Sequence, residues 1–246
     1  MADVQIISRR ELVRFCCRWH YSNVFPPHMR EILGCDDKDG LACVAAWGWG
    51  MQPLHTIRAP FPSLGVDDYR ALNRLCARDE LPRNTESHFL AQCAEWIKQH
   101  TPKTRILFSW ADGIRGKPGY VYQGAGWLYG GFITTEIYVT PSGEPVHPRL
   151  MITRFGSRAE TTWQRHGLTR IRGRLFRYAR FLCSHGERKR LLRESTVAWT
   201  QDYPKQNDCV WQLKRAGEAS RETRDAPSIE RSGQFRHPAP LFAEKE

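Results

Sequence analysis

The stretch from Leu107 to Gly131, LFSWADGIRGKPGYVYQGAGWLYGG, limits this chain more than any other. It begins as an apolar strand run that stops at Ser109 and Trp110. It then passes an acid, Asp112, and enters a turn punctuated by Gly113, Gly116 and Gly119. Two phenols, Tyr120 and Tyr122, sit on a segment long enough only for a brief helix or turn before Gly124 and Gly126 break it again. Glycine at this density weakens regular structure unless the backbone must turn left-handed or lie close to another group. The stretch therefore predicts a buried strand that ends on a tight turn, a short helix or turn, and a new strand from WLYGG onward. A carboxylate and two phenols collect where the first strand ends.

The surrounding chain supplies a mixed α/β frame. Ser8-Arg9-Arg10-Glu11 is a capping box, and Leu12, Cys16 and Trp19 follow at helical spacing, so a helix is expected over 8–20 with His20-Tyr21-Ser22 at its end;. NVFPPHM reads as a turn or extended loop, because two prolines cannot continue a helix. REILG, the DDKDG turn and LACVAAWGW read as a β-hairpin. Residues 50–68 are rich in proline and glycine and read as a surface loop. ALNRLCARD fits a helix or a strand by pattern alone. SHFLAQCAEWIKQH is a helix with Phe89, Leu90, Cys93, Trp96 and Ile97 on one face;. TPKT ends it, and RILFSW is a short buried strand. GRLFRYARFL alternates Arg174, Phe176, Tyr178 and Arg180 on one face and reads as a strand. The polar residues 216–246 are expected to be a disordered tail. The expected organisation is a core over 1–146, a basic segment over 147–215 packed on it, and the tail.

Charge placement narrows the partner. Of 37 Lys and Arg against 26 Asp and Glu, 13 basic residues against two acids fall within 147–193, and 12 of the 13 are Arg. The rest of the chain is close to neutral. Arginine clustered with Trp163, Phe176 and Tyr178 favours nucleic acid over a merely solvated basic face. Arg154, Arg170, Arg172, Arg174, Arg177 and Arg180 are the candidate contacts, with Tyr120 or Trp110 as a surface on which a base could stack. The eight cysteines form no C-x-x-C pair, which argues against a zinc knuckle or a disulfide framework;. There is no apolar run of about 18 residues, and the N-terminus lacks the apolar centre of a signal peptide, so a cytoplasmic protein is expected. No glycine-rich loop of the dinucleotide or phosphate-loop type follows a strand.

The chemistry these residues could carry is proton transfer. An acid just past the end of a buried strand is well placed for catalysis, although an Asp before Gly is also an ordinary turn residue. With Tyr122 nearby, Asp112 could take a proton from a nucleophile while the phenol gives one to a leaving group. The alternative is a glycine-rich structural turn with aromatic packing. His20 and His28 flank a loop with Tyr21 between them, an arrangement that could hold a metal, although a capping or packing role is the commoner use of such a histidine.

The segments HYS at 20–22, LNRLCARDELPRNTESHFL at 72–90, FSWADGIRGKPGYVYQGAGWLYGG at 108–131, and RLFRYARFL through DYPK at 174–205 resemble the Mom family of phage Mu and related phages and prophages. The match fits either that phage's own member or a relative of it. The resemblance implies a GNAT-type N-acyltransferase fold, a mixed α/β sheet flanked by helices, with a basic C-terminal extension. ALNRLCARD would be the fourth strand, 87–100 the donor-site helix and ILFSWAD the fifth strand, splayed from the fourth to admit the donor. It implies an enzyme in the host cytoplasm that converts adenine in double-stranded DNA, in a preferred context, to N6-carbamoylmethyladenine and so protects the phage genome from restriction. Asp112, Tyr122, Ser109 and Arg74 would be catalytic. Arg83, Asn84, Ser87 and Gly119 would hold an acyl-coenzyme A or a related activated acyl or glycyl donor, in a turn, DELPRNTES, that has no glycine. A metal at His20 and Tyr21, iron among the choices, stays open from the residues alone. Two other readings stay open: a phage DNA-binding protein without catalysis, and an acyltransferase acting on RNA or protein.

Overall fold

Ser8 starts the first helix as its sequence demands. Its Oγ accepts from Glu11 N at 3.2 Å, and the Glu11 carboxylate accepts from Ser8 N at 2.7 Å;. The helix, α1 (Arg9–Trp19), buries Leu12, Phe15 and Cys16. This geometry comes from a computed structural model that describes residues 3–20, 25–26, 28–50, 53–215 and 217–229. After β1 (Gln5–Ile6) and α1, the hairpin β2 (Ile32–Asp37) and β3 (Gly40–Gly48) forms as expected. It is followed by β4 (Tyr69–Ala77), α2 (Thr85–His100), β5 (Ile106–Asp112), α3 (Tyr120–Gly124) and β6 (Leu128–Val139). Beyond these lie β7 (Pro145–Val146), α4 (Pro148–Phe155), α5 (Glu160–Arg165), β8 (Thr169–Phe181), α6 (His185–Glu194), β9 (Trp211–Lys214) and β10 (Arg221–Thr223).

The main path of the sheet runs β1-β2-β3-β4-β5-β8-β6-β7. Of its pairings, β4 with β5 is parallel and the others are antiparallel. The ambiguous ALNRLCARD is therefore a strand as far as Ala77, fixed as such by its pairing with β3. Helix α2 lies on one face, burying Phe89, Leu90, Cys93 and Ile97 with Cys43, Ala45, Leu107 and Tyr178. At about 1.5–3 kcal/mol for each large apolar side chain buried, this interface is a main support of the fold.

Three expectations need correction. Residues 50–68 are more than a surface loop: the turn Leu54–Arg58 and the residues after it bury Ile57, Phe61 and Leu64 with Ile106 and Phe108 on the second face of the sheet. The boundary expected at residue 146 does not divide the molecule. Strand β8, from the basic segment, is inserted between β5 and β6, with Ser109 opposite Tyr178 and Phe132 opposite Phe176. Here the segment is part of the core, because its alternating Phe176 and Tyr178 are buried. The third concerns the tail: β10 lies within 216–246 and pairs with β9. Residues 230–246 lie outside the described residues.

Candidate active site

The site follows from how β4 and β5 pair. They share a register only at Tyr69 with Ile106, Arg70 with Leu107 and Ala71 with Phe108. Yet β4 continues to Ala77 and β5 to Asp112, so the strands part after the third pair. This is the splay that the resemblance implied. A cleft of about 420 Å³ fills the gap, lined on the β4 side by Asn73 and Arg74 and on the β5 side by Ser109, Trp110 and Asp112. Glu86 from α2, Lys117, Gly119, Tyr120 and Tyr122 from the glycine-rich turn, His20 and Gln206 are also among the lining residues.

Ser109 Oγ donates to Tyr122 Oη at 2.8 Å, and both groups are buried. The Tyr122 ring packs against Tyr178 at 5.0 Å and Trp127 at 5.4 Å between centroids. Burial pushes its phenol up to about 12, with the Ser109 hydrogen bond opposing, so the group is protonated at neutral pH. Asp112 Oδ1 accepts from Ile114 N at 3.1 Å, closing the turn Gly113–Arg115. Burial raises the Asp112 carboxyl above its usual range, with Arg115 as the largest opposing influence. Both readings of this residue therefore apply: it caps a turn, and it lines the cleft.

The turn between Asp112 and Tyr122 shows why glycine is needed. Gly119 has φ +101°, and a Cβ there would lie 2.4 Å from the Tyr178 ring;. Tyr178 Oη donates to the Pro118 carbonyl. Gln123 Nε2 donates to Tyr178 Oη and to the Pro204 carbonyl, each at 3.0 Å. DYPK thus buttresses α3 from outside, and Tyr120 Oη accepts from Gln206 N at 3.2 Å on the rim.

The donor-site expectations fare unevenly. Gly119 lines the cleft. Arg83 and Asn84 are exposed ahead of α2 and take no part in the lining. Ser87 is buried and donates to the Val121 carbonyl at 3.0 Å, tying α2 to α3 rather than facing a ligand. The glycine-free turn spends two of its amides inside the protein. Thr85 N and His88 N already donate to Pro82 O and Asn84 O, and the neighbouring Glu86 adds a carboxyl. Glu86 sits on the open rim, where burial among the cleft walls raises its carboxyl against the pull of Lys117. Sequence reasoning missed it, since an acid in the first turn of a helix looks like an ordinary partner of the helix dipole.

His20 reaches the cleft lining, whereas Tyr21 lies outside the described residues. Among the described residues no group of three or more His, Cys, Asp or Glu is placed to hold a metal ion. The expected nucleic-acid contacts are largely engaged within the protein. Arg174 Nη1 donates to Asp208 O at 2.9 Å and Arg177 Nη1 to Gly130 O at 3.2 Å. Arg180 Nη1 donates to Ala125 O at 3.0 Å. Arg170 lies over Trp163, Arg172 beside Glu136 and Arg154 on Glu144. A larger cavity, about 500 Å³, lies at the other end of β5, where Arg105 is bridged to Asp68 and Glu187. It holds none of the site residues predicted from sequence.

Comparison with known proteins adds to this geometry. The model of the Mom protein family matches residues 2–205. "Methylcarbamoylase mom" of Escherichia phage Mu is 31% identical over 193 residues, 76% of this chain and 76% of that one. At this identity the two are relatives rather than one protein. Among solved structures, a putative phosphinothricin N-acetyltransferase is 13% identical with a TM-score of 0.42, covering 74% of this chain and 98% of that one. AAC(6')-Ib in complex with ribostamycin and coenzyme A is 12% identical with a TM-score of 0.39, covering 64% and 98%. Likenesses this distant say nothing of substrate.

Proposed function

The chain belongs to the Mom protein family, and from that premise we propose that it is a transferase that modifies adenine in phage DNA, with N6-carbamoylmethyladenine as product. The observation that carries the reading is the cleft where β4 and β5 part, because it gathers a carboxyl raised by burial, a buried phenol and a seryl hydroxyl from the specific family segments.

The target adenine is stacked and paired in a duplex, so it must leave the stack to reach the cleft, at a cost of a few kcal/mol. Trp110 and Tyr120 are the lining rings that can receive it. Its N6 amine is a weak nucleophile. Asp112, with its carboxyl held above the usual range, is a stronger base than an exposed aspartate and takes the N6 proton;. As N6 bonds to the donor carbon, the bond from that carbon to its leaving group breaks, and Tyr122 gives the departing group a proton. Ser109 fixes the phenol's orientation, and Arg74 positions donor or base. The donor is read as an activated acyl or glycyl compound. Because the product joins N6 to a methylene, the new bond forms at that methylene carbon, or acyl transfer is followed by rearrangement.

Restriction sensitivity tests the reading. Plasmid DNA from cells expressing the chain should resist enzymes whose sites contain adenine, and DNA made with Tyr122→Phe should be cut as readily as control DNA. General acid catalysis of this kind contributes about 100- to 10,000-fold. Ordinary cleavage of DNA from wild-type cells would favour a DNA-binding protein without catalysis.

A further inference from the structure

The topology divides the chain's positive charge between the two ends of the sheet. Strand β5 stops at Asp112, opposite Leu175, while β6 and β8 stay paired to Val139 and Thr169. At about 3.3 Å per residue, these two strands run roughly 20 Å beyond the cleft. They form an arm, broadened by β9, which pairs with Arg170–Arg172, and tipped by α4 and α5. Helix α6 follows Phe181, which pairs with Ile106 at the start of β5, so it lies at the end away from the cleft.

The arm carries excess charge. Its acids between 133 and 174 are Glu136, Glu144 and Glu160. Each is matched by a cation: Arg172 at 3.7 Å, Arg154 at 2.7 Å, and Lys214. Arg149, Arg158 and Arg165 are exposed, and among the described residues no carboxylate pairs with them. Arg149 and Arg158 share one neighbourhood: burial lowers the His147 imidazole first, and these two guanidiniums lower it further. Arg158 Nε donates to the Pro148 carbonyl at 2.7 Å, at an exposed position on the arm, whereas Arg177 and Arg180 spend a guanidinium N–H on the carbonyls of Gly130 and Ala125 in partly buried positions, and Arg174 spends one on Asp208 O.

We propose that this arm is the surface that grips duplex DNA, with Arg149, Arg158 and Arg165 on the phosphates, and that neither the arginines in the second half of β8 nor those of α6 do so. The inference rests on DNA being the substrate. Exposed guanidiniums suit phosphate oxygens, and an arm rising beside the cleft holds a duplex where a base could enter it.

The test is binding of a duplex oligonucleotide to the full chain, read by fluorescence anisotropy across a salt series. The Arg149→Gln, Arg158→Gln, Arg165→Gln triple variant should flatten the plot of log affinity against log salt by roughly 0.9 for each phosphate no longer neutralised, nearly three in all. The matching Arg→Lys triple should keep the wild-type slope, which separates missing charge from failed folding. Arg188→Gln, Lys189→Gln, Arg193→Gln on α6 should also leave the slope unchanged. The inference is overturned if the Gln triple on the arm keeps the wild-type slope, if the α6 triple loses it, or if wild type prefers RNA of equal length. Because the readout is binding, an arm that grips DNA while adenine stays unmodified would sink the modification reading and leave this one standing.

Discussion

At Asp112 function and stability are expected to oppose each other. Burial raises its carboxyl above the usual range, so the folded chain holds that proton more tightly than the unfolded one. The contribution to stability is full below the unfolded value and is lost as pH rises through the folded one. Asp112→Asn keeps an oxygen for the cap to Ile114 N and removes the buried charge. Its melting temperature at neutral pH should equal or exceed wild type, while modification falls about 100-fold or more; a clear drop in melting temperature would make the carboxylate structural. In wild type, modification should decline as pH falls through the raised value, because only the ionised form accepts a proton. That Asp112, Ser109 and Tyr122 would lie close together was legible because they stand at a strand end between glycines. Glu86 was not, because nothing local separates an acid facing a cleft from one serving a helix terminus. Ser87 was misread for a related reason: the sequence shows a hydroxyl near a helix start but not the Val121 carbonyl that it serves.

Among the elements, the turn leading into α3 is the most constrained. Gly119→Ala would place a Cβ against the Tyr178 ring in a left-handed backbone. It should cost about 1–3 kcal/mol, measured by denaturant unfolding, and an unchanged midpoint would mean the turn can shift freely. The capping box, the hairpin, α2 and β5 could be read locally, since each carries its own period or cap. The packed turn at 54–64 could not. Its apolar residues are interrupted by Pro60 and Pro62, and their burial depends on Phe108 and Trp199, far along the chain. Helices α4, α5 and α6 were also missed, because arginine-rich segments this short carry little hydrophobic periodicity.

Across the whole molecule, the sheet order matters most. Strand β8 separates β5 from β6, so a fragment of residues 1–146 leaves both without their shared partner. That fragment should show no cooperative thermal transition, and a sharp transition would restore the division expected from sequence. Charge counting found the basic block but assigned it to a layer outside the core, because composition cannot show that Phe176 and Tyr178 draw the same strand inside. The central claim is that this cleft modifies adenine in DNA, and nucleoside mass spectrometry tests it most directly. DNA from cells expressing wild type should contain a new adenosine-derived species, heavier by one carbamoylmethyl group replacing hydrogen, and DNA from cells expressing Asp112→Asn should lack it. Unchanged adenosine with wild type, in a host able to supply the donor, or the same species from the Asp112→Asn variant, would contradict the account.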